Sequence, residues 1–198
     1  MGKTGSIAVA AAILTIGSSA AATDLKVVEV SFPEVNCTFN TTCTITVSDT
    51  VGTIGLGLDD GKAILQSCTF TGAPGAPVAG KTGYMYRIDL TQGRGWLDCL
   101  VGLTVDFGPL VKQPYVKGSP ELFDVFVGVK GGVGTVSIKS AEQDGDAITV
   151  MFAKPLCVGE TTFFFGLAAN KGPQRVSAGL FGYGSPPYHG VDARGPSH

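Results

Sequence analysis

Cys37 and Cys43 bracket NCTFNTTC (36–43), which places two sulfurs and two Asn-x-Thr-type triplets in one short stretch. Four chemistries share that pattern: a metal knuckle, a redox pair, a glycan acceptor and a structural disulfide. A structural zinc site takes four Cys or His ligands at characteristic spacings. The chain has two histidines, His189 and His198, both in its tail, and no second cysteine pair at finger spacing. A redox pair is Cys-x-x-Cys, and TFNTT is too long an insert. A disulfide between strands meeting at a tight turn is therefore expected, its ring closure contributing roughly 2.4 kcal/mol. Asn36-Cys37-Thr38 and Asn40-Thr41-Thr42 fit the glycan acceptor pattern, so Asn36 and Asn40 are acceptors in a eukaryotic host only.

Cys68, Cys99 and Cys157 remain. Cys68 and Cys99 sit in strand-like segments, AILQSCTF and WLDCLVGL, and are the preferred second bridge. Cys157 is then left over or replaces either partner, since spacing does not fix connectivity.

Acid–base and nucleophilic chemistry find little support. A Ser-His-Asp hydrolase needs a rigidly held histidine, whereas His189 and His198 lie in or beside a Gly/Pro-rich tail, and no Gly-x-Ser-x-Gly elbow follows the leader. A glycoside hydrolase needs two carboxylates about 5 to 10 Å apart; Asp89, Asp98, Asp106 and Asp124 are the strand-borne candidates. Alternation puts Asp89 on the same face as Arg87, where an ion pair accounts for it. Asp59-Asp60-Gly61 and Asp144-Gly145-Asp146 offer weak calcium ligands, without the full spacing of a helix–loop–helix calcium loop. Both also read as hairpin turns in which Gly supplies positive φ. No other metal or cofactor is expected.

Aromatic residues give the one positive hint of binding. Tyr84, Tyr86, Trp96 and Tyr115 are rings of the kind that stack on sugars or anchor interfaces. In GYMYRIDL, however, Tyr84 and Tyr86 share a face with Ile88 and Leu90, which favours burial. Phe163-Phe164-Phe165 must put a ring on each face of its strand, so that strand is buried on both sides.

The elements that carry these residues read as strands. TTCTITVS, GYMYRIDL and TVSIKS alternate apolar and polar residues with a period of two, the mark of half-buried antiparallel strands. DLKVVEVSF, GTIGLGL, WLDCLVGLTVDF, LFDVFVGV, AITVMFA, TTFFFGLA and RVSAGLFG add to them, separated by DDG, GAPGAP, QGRG, GGVG and QDGD turns. No amphipathic helix of useful length is predicted. TGAPGAPVAGKTG (71–83) is expected to be an exposed connection, and FGPLVKQPYVKGSPE (107–121) is a second long one. About ten short strands make an antiparallel β-sandwich, jelly-roll or immunoglobulin-like, the expected fold.

The leader fixes the expected compartment. Lys3, the uncharged run SIAVAAAILTIG and the small residues to Ala22 have the parts of a secretory signal peptide cleaved before Thr23. Residues 23–198 then form one secreted domain, extracellular or periplasmic, with no membrane span after cleavage. Loss of Lys3 moves the formal charge from −2 to −3, which offers no handle for nucleic acid. Charged residues make up only 15%, and 29 glycines favour strands and tight turns over exposed helices. The expectation is a non-catalytic protein with a structural or interaction role, its partner a protein or a second copy. A polysaccharide-binding module is the alternative, and a glycoside hydrolase the weaker one.

Overall fold

The computed structural model describes residues 21–44, 48–54, 62–93, 99–183 and 188–197. Among these, twelve strands and one helix follow in order. They are β1 (Thr23–Leu25), β2 (Val27–Ser31), α1 (Phe32–Phe39), β3 (Ser48–Ile54), β4 (Lys62–Thr71), β5 (Thr82–Gln92), β6 (Leu100–Asp106), β7 (Val125–Lys130), β8 (Ile138–Asp144), β9 (Ala147–Leu156), β10 (Phe165–Ala169), β11 (Pro173–Gly182) and β12 (Tyr188–Pro196). The first sheet has the order β1-β8-β9-β6-β11-β12 and the second β2-β7-β10-β5-β4-β3. They stack face to face as a β-sandwich, antiparallel throughout except where β2 runs parallel to β7.

Alternation builds the core between the sheets. Tyr84, Tyr86, Ile88 and Leu90 of β5 all point inward and are at most 1% exposed. Phe165 and Leu167 of β10 join them, facing Leu103, Val105, Val150 and Leu180 of the first sheet. Val136 and Ile138 also point inward, as TVSIKS predicts. The second sheet is buried on its other face too. Phe70, Met85 and Phe126 meet a cover made of α1, the 72–81 loop and the 107–124 connection, through Val35, Phe39, Val78 and Tyr115. The Phe163–Phe165 run is thus split as expected, with Phe165 in the inter-sheet core and Phe164 packed under the cover.

Four elements depart from the sequence reading. SFPEVNCTF forms α1 rather than strand, because Ser31 and Glu34 make a capping box. The Ser31 N–H donates to the Glu34 carboxylate at 3.0 Å, and the Glu34 N–H donates to Ser31 Oγ at 3.4 Å. The tail forms β12, paired with β11. The 72–81 loop is exposed only in part: Pro74, Gly75, Pro77, Ala79 and Gly80 face solvent as expected, but Ala76 and Val78 are buried, and the Ala73 N–H donates to the Phe39 carbonyl at 2.8 Å.

DLKVVEVSF, expected as one strand, divides at Lys26, where the chain passes from the first sheet to the second. Cysteine pairing also differs from the preferred scheme. Cys99 bonds Cys157, and Cys68 takes part in neither bridge. Leu100 and Leu156 are register partners on β6 and β9, so the cysteines flanking them meet in the first sheet. Cys68 belongs to β4 and points into the cover side of the second sheet.

Candidate functional site

The crossing at Lys26 is held by a buried carboxylate. Asp124 has a side chain only 2% exposed and accepts the Lys26 N–H at 2.8 Å and Lys112 Nζ at 3.0 Å. The Lys26 carbonyl accepts in return from the Asp124 and Val125 N–H groups at 2.9 and 3.1 Å. The Lys26 ammonium pairs with Glu121 and lies 5.1 Å from the centre of the Phe123 ring. A carboxylate buried this far needs such partners, since an uncompensated charge there costs several kcal/mol. The β1/β2 junction and the end of the long connection are thereby fastened to each other.

Beside this clasp lies a cleft of about 490 Å³, lined by Asp24, Leu25, Lys112, Asp124, Gln143 and Asp146 among others. Its floor is set by backbone bonds. The Asp146 carbonyl accepts from the Phe107 and Gly108 N–H groups, both at 2.8 Å, and Gln143 Nε2 donates to the Gly108 carbonyl at 2.8 Å. The cleft therefore combines exposed carboxylates at Asp24 and Asp146 with a lysine already paired to Asp124. It can take a polar group.

The candidate carboxylates are not gathered here. Asp89 lies on the cover side of β5, where it pairs with Arg87 at 3.4 Å and accepts the Thr91 N–H at 2.9 Å. Asp106 is exposed at the end of β6 in the other sheet. Of the glycosidase candidates only Asp124 borders the cleft, and Asp98 lies outside the described residues. Of the calcium candidates, Asp144 and Asp146 are exposed at the β8–β9 turn, with Gly145 at φ 58°. Asp59 and Asp60 lie outside the described residues. Among those described, no three His, Cys, Asp or Glu side chains are grouped to hold a metal.

The aromatic candidates are core residues instead of a platform. Tyr84, Tyr86 and Tyr115 are at most 1% exposed. The Tyr84 hydroxyl donates to the Lys171 carbonyl at 2.8 Å and the Tyr86 hydroxyl to the Arg194 carbonyl. Burial pushes the Tyr84 phenol up to about 12 and raises those of Tyr86 and Tyr115 as well. Trp96 lies outside the described residues.

The two asparagine candidates differ in their surroundings. Asn36 sits in α1 with its Oδ1 buried. The Asn40 side chain accepts the Thr42 N–H at 3.0 Å and donates to the Thr44 carbonyl at 2.6 Å, closing the turn that brings Cys43 back to Cys37.

Sequence reasoning passed over Lys26, Lys112, Gln143 and Asp24. Lys26 breaks the apolar pattern between Leu25 and Val27-Val28, but the acceptor of its N–H stands 98 residues away. Comparison with protein-family models, curated proteins and solved structures finds no match for the chain.

Proposed function

We propose that this is a non-catalytic β-sandwich, exported to an extracellular or periplasmic compartment, with a structural or interaction role toward another protein or a second copy of itself. The observation that carries this reading is the use made of Asp124. The carboxylate most withdrawn from water at the cleft fastens two backbone segments and a lysine, which is work for the fold. Burial of Tyr84, Tyr86 and Tyr115 supports the same reading over a sugar-stacking platform. Two disulfides support export, because such bonds persist in oxidising compartments. Among the described residues no helix is long and apolar enough to cross a membrane. Among the described residues, β1 ends one sheet and β2 and β3 end the other, and these strands offer backbone edges to a partner strand, whereas β12 bonds its Arg194 N–H and carbonyl to Ser67 and Tyr86 of the second sheet.

Sedimentation velocity over a wide protein concentration range tests the role. Self-association, or a stable complex with a protein captured from the native extracellular medium, is the expected result. A monomer retarded on polysaccharide gels, with retardation lost in Trp96→Ala, would establish the carbohydrate-binding alternative instead. Polysaccharide turnover lost in Asp124→Asn would establish a hydrolase. N-terminal sequencing of native material should begin at Thr23.

A further inference from the structure

The two disulfides hold different things. Cys99–Cys157 joins chain ends beside the paired Leu100 and Leu156, both fully buried, so the sheet keeps these sulfurs together whether or not they are bonded. Cys37–Cys43 ties the end of α1 to the turn that follows it. Phe39, two residues beyond Cys37, is fully buried, with its ring 4.6 Å from that of Phe70 and 6.4 Å from that of Tyr115. The 72–81 loop hangs from the last two residues of α1, the Ala73 N–H donating to the Phe39 carbonyl and the Val78 N–H to the Thr38 carbonyl.

Three observations bear on how firmly this region is held. Cys43 holds φ at 55°, the left-handed region that disfavours any side chain, and breaking the bridge frees it to relax. A cavity of about 210 Å³ opens beside Cys37 between Glu34, Thr38, Pro114 and Lys117, which admits a small thiol. Asn36 Oδ1, Tyr115 OH and Arg87 Nε are buried without a hydrogen bond, and all three lie on the cover side of the second sheet. Opening the cover hydrates them. An eight-residue helix has little stability of its own once its end is released.

We infer that Cys37–Cys43 is a redox latch on the cover: its reduction lifts α1 from the outer face of the second sheet while the inter-sheet core and Cys99–Cys157 stay closed. An external dithiol supplies two electrons and two protons. The Sγ–Sγ bond breaks, Cys37 and Cys43 become thiols, and the dithiol closes to its own disulfide. This goes beyond the proposed role, since it concerns the fold and not the partner.

Cys68, 1% exposed beneath the cover, is the built-in reporter. In the full chain carrying Cys37→Ser and Cys43→Ser, iodoacetamide should label Cys68 about tenfold faster than in the wild type. Amide exchange should rise over 32–44 and 72–81 and stay slow in β6, β9 and β10. Unchanged Cys68 labelling, or exchange rising equally in β9, would overturn the inference. Stepwise reduction of the wild-type protein with dithiothreitol and peptide mapping decides the matter independently, including where the variant fails to fold. Cys37–Cys43 opening first supports the latch, and Cys99–Cys157 opening first or together with it refutes it.

Discussion

The second sheet has two buried faces, and they are built in different ways. Toward the first sheet, most contributing side chains come from strand alternation, joined by Phe107 and Leu110 from the start of the long connection, and buried hydroxyls find partners: Ser67 Oγ accepts the Arg194 N–H at 2.8 Å and Tyr86 donates to the Arg194 carbonyl. Toward solvent, the face is closed by a short capped helix and two connections, fastened by a local disulfide and a few backbone bonds. Among the described residues, the three buried side-chain polar atoms without a protein hydrogen-bond partner all belong to this second face. A core formed by repetition satisfies its polar groups as a by-product of the ladder. A core formed by folding chain over a sheet must satisfy them singly, and here some are left over.

Matched substitutions break or sharpen that contrast. Phe165→Ala, in the inter-sheet core, should cost about 3–5 kcal/mol in a single cooperative unfolding transition followed by chemical denaturation. Phe39→Ala removes an equally buried ring from the cover. Its loss should appear first as faster amide exchange over 32–44 and 72–81, ahead of global unfolding. Equal exchange in β9 for both variants would dissolve the distinction.

A smaller effect is expected at Gly83, where an added Cβ would stand 2.3 Å from the Phe70 ring and 2.9 Å from that of Phe39. Gly83→Ala should destabilise by about 1–3 kcal/mol, read from the denaturation midpoint, and Phe39→Leu in the same chain should recover part of the loss.

The smallest effect is electrostatic. The Ser31 N–H, with the Ser31 hydroxyl second, holds the Glu34 carboxyl below its ordinary value. A carboxyl lowered by folding contributes stability above its unfolded pKa, and that contribution disappears as pH falls through the folded value. Acidification should thus weaken the cover slightly through this group, and Glu34→Gln should flatten that part of the pH profile.

Legibility in the sequence follows the same division. The period of two placed Tyr84, Tyr86, Ile88, Leu90, Val136 and Ile138 inside correctly, because each strand writes its own facing into its residues. The helix was written too, as Ser31 and Glu34 three apart, but its β-branched and aromatic residues resemble a strand. β12 hid among glycines and prolines, since its pairing comes from β11 and not from its own composition. Cys99–Cys157 needed the Leu100–Leu156 register, and the Asp124 clasp needed a partner 98 residues distant. Long-range pairing of this kind leaves no local mark.

Because Arg194 offers its amide to Ser67 and its carbonyl to Tyr86, the last strand is shared property of both layers. Clipping the chain ahead of Arg194 would strand a phenol and a serine hydroxyl deep in the molecule, at a penalty of about 1–3 kcal/mol for each orphaned group. The C-terminal end is therefore a keystone, and a protease that reached it would loosen the whole arch.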